Sequence, residues 1–136
     1  MTQTTCIPRT LANRLLTLAQ LAPKQEVCGF IATDNKLKYI TYPIDNIATQ
    51  TQYCFEMNPQ QQINALKNMR EKKQTLFAIY HSHPTSDATP SEKDLQKSAY
   101  EDALNIIISL SIGGVLDMRG YFYKQNTFEK VDLIIE

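Results

Sequence analysis

Apolar side chains recur at helical spacing in two stretches of the chain. The first stretch predicts an amphipathic helix over residues 10–21, which Pro23 ends because proline cannot continue a helix. The second helix is expected to begin at Asn58, whose side chain can cap it, with Pro59 in its first turn. It should run to about Lys72. The residues expected on its buried face and edge are Ile63, Leu66, Met69 and Arg70.

Runs rich in apolar and β-branched residues predict the strands of a sheet. The run 76–80 is apolar throughout, as in a central strand that is covered on both faces. A two-residue link, Asp34-Asn35, suits a hairpin because both residue types tolerate positive φ, and a second hairpin is expected around Gln125-Asn126. The expected strands are 27–33, 37–42, 53–57, 76–80, 104–110, 116–123 and 131–135.

The order of these elements predicts an α+β, or mixed α/β, fold with a central, mostly antiparallel sheet flanked by helices. Residues 43–52 and 82–90 are expected to be loops, and a short third helix should run from Ser91 to about Ala99. Since no linker or repeat interrupts the 136 residues, they should form a single domain, 1–136. No apolar run approaches the ~18 residues of a membrane span, and the first ten residues lack the apolar core of a signal peptide.

Charge and cysteine content narrow the classes of function. Lys plus Arg and Asp plus Glu each number 14, so no basic excess indicates a nucleic-acid partner. Cys6, Cys28 and Cys54 match no metal or redox spacing, which favours reduced thiols in a cytoplasmic protein. The four glycines form neither a dinucleotide-binding fingerprint nor a Walker loop.

The two histidines of the chain, His81 and His83, lie two positions apart at the end of a predicted strand. Residues i and i+2 project from the same face of a strand, so both imidazoles can point to one spot. Asp94 follows on the first turn of the next predicted helix, after a loop long enough to return its carboxylate to that spot. Two imidazoles and one carboxylate are the ligands of an open catalytic zinc site, with water in the fourth position. Zinc would lower the pKa of that water to about 7.

Each of these residues also has a simpler interpretation. The two histidines could be ordinary surface residues. Ser91 and Asp94 resemble a capping box, in which the serine caps the helix and the aspartate reaches back to it. An aspartate that binds zinc has less freedom to cap, so the two interpretations compete. Glu26, considered alone, is a typical surface residue.

Two other chemistries are less consistent with the sequence. A triad of Ser91, His83 and Asp87 lacks the Gly-x-Ser-x-Gly elbow of serine hydrolases. A cysteine–histidine pair that uses Cys28 competes with the simpler role of a small buried apolar residue.

The whole string of residues 79–95 resembles the signature of the JAMM metallopeptidases, the catalytically competent branch of the MPN domain family. An upstream Glu26 is followed by His-Ser-His, seven residues, Ser91, two residues and Asp94. The elements around it also occur in the order found in small bacterial members, so the resemblance covers nearly the whole chain. These elements are the opening helix, Asn46-Ile-Ala, Phe55-Glu56 and Met118-Arg-Gly-Tyr.

The resemblance implies a role for each residue of the signature. His81, His83 and Asp94 resemble the ligands of one zinc ion that also carries a water molecule. Glu26 resembles the general base, which takes a proton from the water and hands it to the leaving amine. Ser91 resembles the donor to the tetrahedral oxyanion, an interaction often worth about 3 kcal/mol of barrier.

The implied activity is hydrolysis of a peptide or isopeptide bond after the C-terminal Gly-Gly of a ubiquitin-like β-grasp protein of the sulfur-carrier type. Such a tail is the thinnest peptide available and can lie extended in a narrow groove. The alternative is a non-catalytic MPN-type interaction module with a structural metal site. The sequence favours the enzyme, because a structural site needs neither Glu26 nor Ser91.

Overall fold

The computed structural model describes residues 3–96, 100 and 102–136. Within these residues the chain forms a seven-stranded sheet with helices packed against it. In chain order the elements are β1 (Gln3–Ile7), α1 (Arg9–Leu21), β2 (Cys28–Thr33), β3 (Tyr39–Ile44), α2 (Pro59–Glu71), β4 (Thr75–His83), α3 (Glu92–Gln96), β5 (Leu104–Ser109), β6 (Asp117–Lys124) and β7 (Thr127–Ile135).

The strands lie in the order β1-β7-β6-β5-β4-β2-β3 across the sheet. Neighbouring strands are antiparallel in four pairs and parallel in two, β1–β7 and β4–β5. The predicted α+β architecture with a mostly antiparallel central sheet is therefore confirmed. None of the helices within the described residues has the length and apolarity of a membrane span.

The alternation of side chains along β4 divides the core into two layers. Tyr80 packs in the layer that contains α1, whereas Ile79 packs with Met69 of α2 on the opposite face. His81 and His83 share the face of Ile79, because side chains two positions apart project in the same direction. The two histidines therefore lie on the α2 side of the sheet.

The two long helices begin and end close to their predicted bounds. Asn58 caps α2 as expected, since its Oδ1 accepts a hydrogen bond of 3.0 Å from the N–H of Gln61. The predicted burial of Ile63 is wrong, because its side chain is 59% exposed; the predicted burial of Met69 is confirmed, and Ala65 is buried as well. Helix α2 contacts the sheet along a narrower stripe than the apolar pattern indicates.

Two strand predictions fail at the edges of the sheet. Strand β1 was not predicted, because it has little apolar alternation; within the described residues it pairs with β7 alone. The strand expected at 53–57 is wrong, because within the described residues only an isolated bridge joins Met57 to Asn46. Both segments are held by non-local contacts that a local pattern does not report.

Strands β2 and β3 form the predicted antiparallel hairpin, but the prediction of a two-residue turn at Asp34-Asn35 is wrong. Residues 34–38 separate β2 from β3, and Leu37 is the residue with positive φ, at 60°. The Asp34 carboxylate accepts hydrogen bonds from the N–H groups of Lys36 and Lys38, which stabilises this longer turn. The hairpin at Gln125-Asn126 is confirmed, with φ of 41° and 64° at its two residues.

The segment around the histidines is more regular than predicted. Strand β4 continues through His83, so the loop begins after that residue and not at Ser82. The third helix, α3, runs from Glu92 to Gln96. The part predicted for residues 97–99 lies outside the described residues.

Candidate metal centre

The C-terminal end of strand β4 places two imidazoles close to one point. The Nε2 atoms of His81 and His83 are 3.1 Å apart, and both side chains are buried. The neighbouring strands fix this end of β4, since His81 pairs with Cys28 of β2 and with Ile107 of β5. The two rings therefore converge as a consequence of strand geometry.

Asp94 reaches the same point from α3. Its Oδ2 atom lies 3.2 Å from Nε2 of each histidine. The same oxygen accepts a hydrogen bond of 2.9 Å from the N–H of Ser91, while Ser91 Oγ accepts one of 3.1 Å from the N–H of Asp94. Asp94 therefore forms the capping box and also faces the two imidazoles. The capping and metal-binding interpretations of this residue are thus compatible.

Glu26 completes a cluster of four side chains. It lies just before β2 and is 4% exposed, and one ligand-type atom from each of Glu26, His81, His83 and Asp94 lies within 4.8 Å of the others. Ser82 holds this segment against β4, because its Oγ accepts a hydrogen bond of 2.9 Å from the N–H of Val27. The Oε1 atom of Glu26 has no hydrogen-bond partner within the described residues.

The arrangement of His81, His83 and Asp94 fits a small divalent ion. The two Nε2 atoms and Oδ2 form a triangle with edges of 3.1–3.2 Å. If that triangle is one face of a tetrahedron, its centre lies about 1.9–2.0 Å from each atom, close to zinc–ligand distances. Borderline nitrogen ligands and one carboxylate suit zinc and also other transition metals.

Different contacts orient the imidazole rings of His81 and His83. The Nδ1–H of His83 donates to the carbonyl oxygen of Asp87 at 2.7 Å, so the neutral form of this ring carries its free lone pair on Nε2, the nitrogen that faces the cluster. The buried Nδ1 of His81 has no such acceptor within residues 3–96, 100 and 102–136. Its ring instead stacks on Phe55, with centroids 4.5 Å apart and an interplanar angle of 28°.

Asn46 joins the loop that carries Phe55 to the segment that carries Glu26. Its Nδ2 donates to the carbonyls of Glu26 and Cys54, at 2.9 and 3.0 Å. Its Oδ1 accepts from the N–H groups of Ala48 and Glu56, each at 3.0 Å. All four hydrogen-bonding positions of one carboxamide are used, so Asn46 fixes the Glu26 segment relative to the loop that carries Phe55.

Burial and neighbouring charges set the protonation of the cluster. Burial raises the pKa of the Glu26 carboxyl from 4.5 to about 7, although His83 and Lys93 oppose this shift. Burial would also raise the pKa of Asp94, but the two imidazoles and the Ser91 N–H hold it well below its ordinary value. One carboxylate is therefore kept ionised to face cations, while the other can hold or release a proton near neutral pH.

Sequence reasoning missed the supporting residues. Phe55 and Asn46 belong to elements noted only for their order along the chain, and nothing in the local pattern predicts their contacts with His81 and Glu26. Tyr123, on β6, is also buried close to this cluster and lines a pocket with Asp94.

Comparison with known proteins agrees with the resemblance drawn from the signature. The chain is 29% identical over 89 residues to the desampylase of Haloferax volcanii, and the match covers 64% of each protein. It therefore spans less than two thirds of that relative's length. The chain is also 24% identical over 115 residues to the CysO-cysteine peptidase of Mycobacterium tuberculosis, covering 82% of this chain and 77% of the relative.

The fold itself has solved counterparts. The crystal structure of a JAB1/MPN domain protein from Archaeoglobus fulgidus superposes with a TM-score of 0.59 and 16% identity, over 100% of this chain and 99% of that one. Residues 8–121 match the family described as prokaryotic homologues of the JAB domain. Since this match covers most of the chain, the protein belongs to the prokaryotic JAB family, a branch of the JAMM/MPN proteins.

Proposed function

We propose that this protein is a zinc-dependent JAMM-type peptidase or isopeptidase. It hydrolyses the amide bond that follows the C-terminal Gly-Gly of a ubiquitin-like protein of the sulfur-carrier type. The observation that carries the proposal is the buried convergence of Glu26 with two imidazoles and one carboxylate. In this proposal residues 1–136 form one catalytic domain.

His81, His83 and Asp94 hold the zinc ion in the proposed enzyme. Bound zinc supplies Lewis-acid chemistry, because it polarises a carbonyl and brings the pKa of a coordinated water to about 7. The chain contributes the remaining steps. As the C–N bond of the substrate breaks, Glu26 carries the proton of the attacking water to the departing nitrogen. In the metal-free protein burial raises the pKa of this carboxyl to about 7, towards the range in which a side chain both accepts and releases a proton at neutral pH.

Ser91 is proposed to stabilise the oxyanion. Its Oγ accepts the capping hydrogen bond from the N–H of Asp94. Because an accepting hydroxyl keeps its own proton, the O–H of Ser91 remains able to donate to a developing negative charge. The capping box thus positions the hydroxyl beside the proposed metal ligand.

The environment of Glu26 favours an enzyme over a non-catalytic interaction module. Burying a carboxyl without a hydrogen-bond partner for one of its oxygens costs free energy, and Glu26 Oε1 has none within the described part of the chain. A structural metal held by His81, His83 and Asp94 does not need this glutamate, whereas hydrolysis needs a general base beside the metal.

Access to the centre supports a thin substrate. Glu26, His81, His83 and Asp94 are all at most 7% exposed, so the scissile bond must reach a nearly closed site. A Gly-Gly tail has no side chains to obstruct that approach. The names of the two relatives, desampylase and CysO-cysteine peptidase, support cleavage next to a small carrier protein. The three cysteines are free thiols, which supports a cytoplasmic location.

The proposal is tested with zinc analysis and a cleavage assay. The purified protein is expected to bind one zinc per chain by mass spectrometry and to trim a sulfur-carrier protein extended beyond Gly-Gly. Glu26→Gln should keep the zinc and lose about 10²–10⁴-fold in kcat. Glu71→Gln, which changes an exposed glutamate, is the matched control. Stoichiometric zinc without turnover of any Gly-Gly-extended carrier would favour the interaction module.

A further inference from the structure

A pocket of about 220 Å³ opens beside the candidate metal centre, on the face of the sheet that carries α2 and α3. Asp94 forms part of its wall, so a group that fills the pocket lies next to the reacting atoms. Phe55, Met57 and Ile79 give it an apolar side. Its volume can hold a single side chain and excludes a folded domain.

Besides Asp94, two buried polar side chains line the pocket, and one of them lacks a hydrogen-bond partner in the described part of the chain. The Tyr123 hydroxyl has no hydrogen-bond partner within the described residues, although the residue is only 7% exposed. Asn105 is 5% exposed, and its Nδ2 makes a long contact of 3.3 Å to the carbonyl of Ala103. An unsatisfied buried polar group is unfavourable, so such groups in a pocket indicate a ligand that completes their hydrogen bonds.

The neighbouring tyrosine on β6 shows that the unsatisfied hydroxyl is specific to the pocket. Tyr121 and Tyr123 project from the same face of the strand, two positions apart. The Tyr121 hydroxyl donates to the carbonyl of Ala88 at 2.6 Å. Only Tyr123, the one of the two that lines the pocket, lacks a partner among the residues that the structure describes.

The charges around the pocket do not select an acidic or a basic group. Lys93 and Glu56 line it at exposed positions with opposite charges, and the third charged lining residue, Asp94, faces the two imidazoles. The buried hydrogen-bonding groups, a phenol and a carboxamide, are neutral and can each donate and accept. Their chemistry matches a small, neutral, polar side chain.

We propose that this pocket binds the residue that follows Gly-Gly in the substrate, and that Tyr123 and Asn105 select a small neutral polar side chain there. This inference rests on the proposed function and specifies the leaving group that the enzyme prefers. The preferred substrate is then a carrier with a linear C-terminal extension that begins with such a residue.

The test compares two substrates that differ by one hydroxyl. A sulfur-carrier protein is extended to end in Gly-Gly-Ser or in Gly-Gly-Ala, and kcat/KM is measured for both. The wild-type enzyme should prefer serine about five- to tenfold, the effect of one added hydrogen bond. Tyr123→Phe should bring the ratio to about 1 by slowing only the serine substrate. Tyr53→Phe, at an exposed tyrosine, should keep the preference.

Equal slowing of both substrates by Tyr123→Phe, or an unchanged ratio, would overturn the inference, because a merely structural role affects both substrates alike. Zinc content is measured on each variant to exclude loss of the metal. A second readout does not depend on cleavage: calorimetric binding of the two carriers to Glu26→Gln and to the double variant Glu26→Gln/Tyr123→Phe. If the wild-type protein cleaves neither carrier, the proposed function fails. The inference about the pocket is then supported if the serine preference in binding disappears with Tyr123→Phe. It is refuted if binding shows no preference for serine.

Discussion

Replacing Glu26 by glutamine should stabilise the metal-free protein at alkaline pH. Burial raises the pKa of this carboxyl from 4.5 to about 7 in the folded state. Below pH 4.5 both the folded and unfolded states hold the proton, so the shift costs no stability. Between pH 4.5 and 7 the unfolded chain releases the proton while the folded state retains it, and stability falls with rising pH. Above pH 7 the loss is complete.

The size of the effect follows from the shift. A rise from 4.5 to about 7 corresponds to at most about 3–4 kcal/mol. About 2.5 kcal/mol of this develops between pH 5 and pH 8. For a domain of this size that equals an upper limit of roughly 10 °C in melting temperature. Glutamine has a similar shape and cannot ionise, so the variant escapes this loss.

Thermal unfolding followed by circular dichroism in the presence of a chelator provides the assay. The melting temperature of Glu26→Gln minus that of the wild type should grow steadily from pH 5 to pH 8. Glu71→Gln, at an exposed position of α2, should follow the wild type throughout. A difference that stays constant with pH, or that shrinks towards pH 8, would refute the reasoning.

Three further predictions concern the surroundings of the centre. Asn46→Asp loses both N–H donors and should cost about 2–3 kcal/mol in urea unfolding, whereas Asn64→Asp on the exposed side of α2 should change stability by less than about 0.5 kcal/mol. Phe55→Leu removes the ring stacked on an imidazole and should weaken zinc binding about tenfold in a chelator competition; Phe77→Leu, on the other side of the sheet, should not. Burial raises the pKa of the Cys28 thiol to about 12, so a thiol reagent at pH 8 should modify it only after unfolding; modification in the folded protein would contradict this.

The convergence of the two histidines could be predicted because it follows from a two-residue period along one strand. The cap of α2 was predictable for a similar reason, since Asn58 and its partner Gln61 lie three positions apart. Both features depend on residues that are close in sequence. Their geometry is fixed once the type of element is known.

The supporting contacts could not be predicted in this way. Asn46 links Glu26 to Cys54 across loops that have no periodic pattern, and Phe55 meets His81 only after the chain has folded. The prediction of the turn after β2 failed for a related reason. There a side chain, Asp34, provides the acceptor for two N–H groups and replaces the expected two-residue backbone turn.

The parallel pairing of β1 with β7 has a consequence for the order in which the protein folds. Gln3 pairs with Val131, so this ladder joins segments from opposite ends of the described chain. During synthesis the first strand must wait, unpaired, until the last one has left the ribosome, and contacts so distant in sequence form slowly. This outer ladder is therefore expected to form late, and hydrogen exchange should find it the last to gain protection.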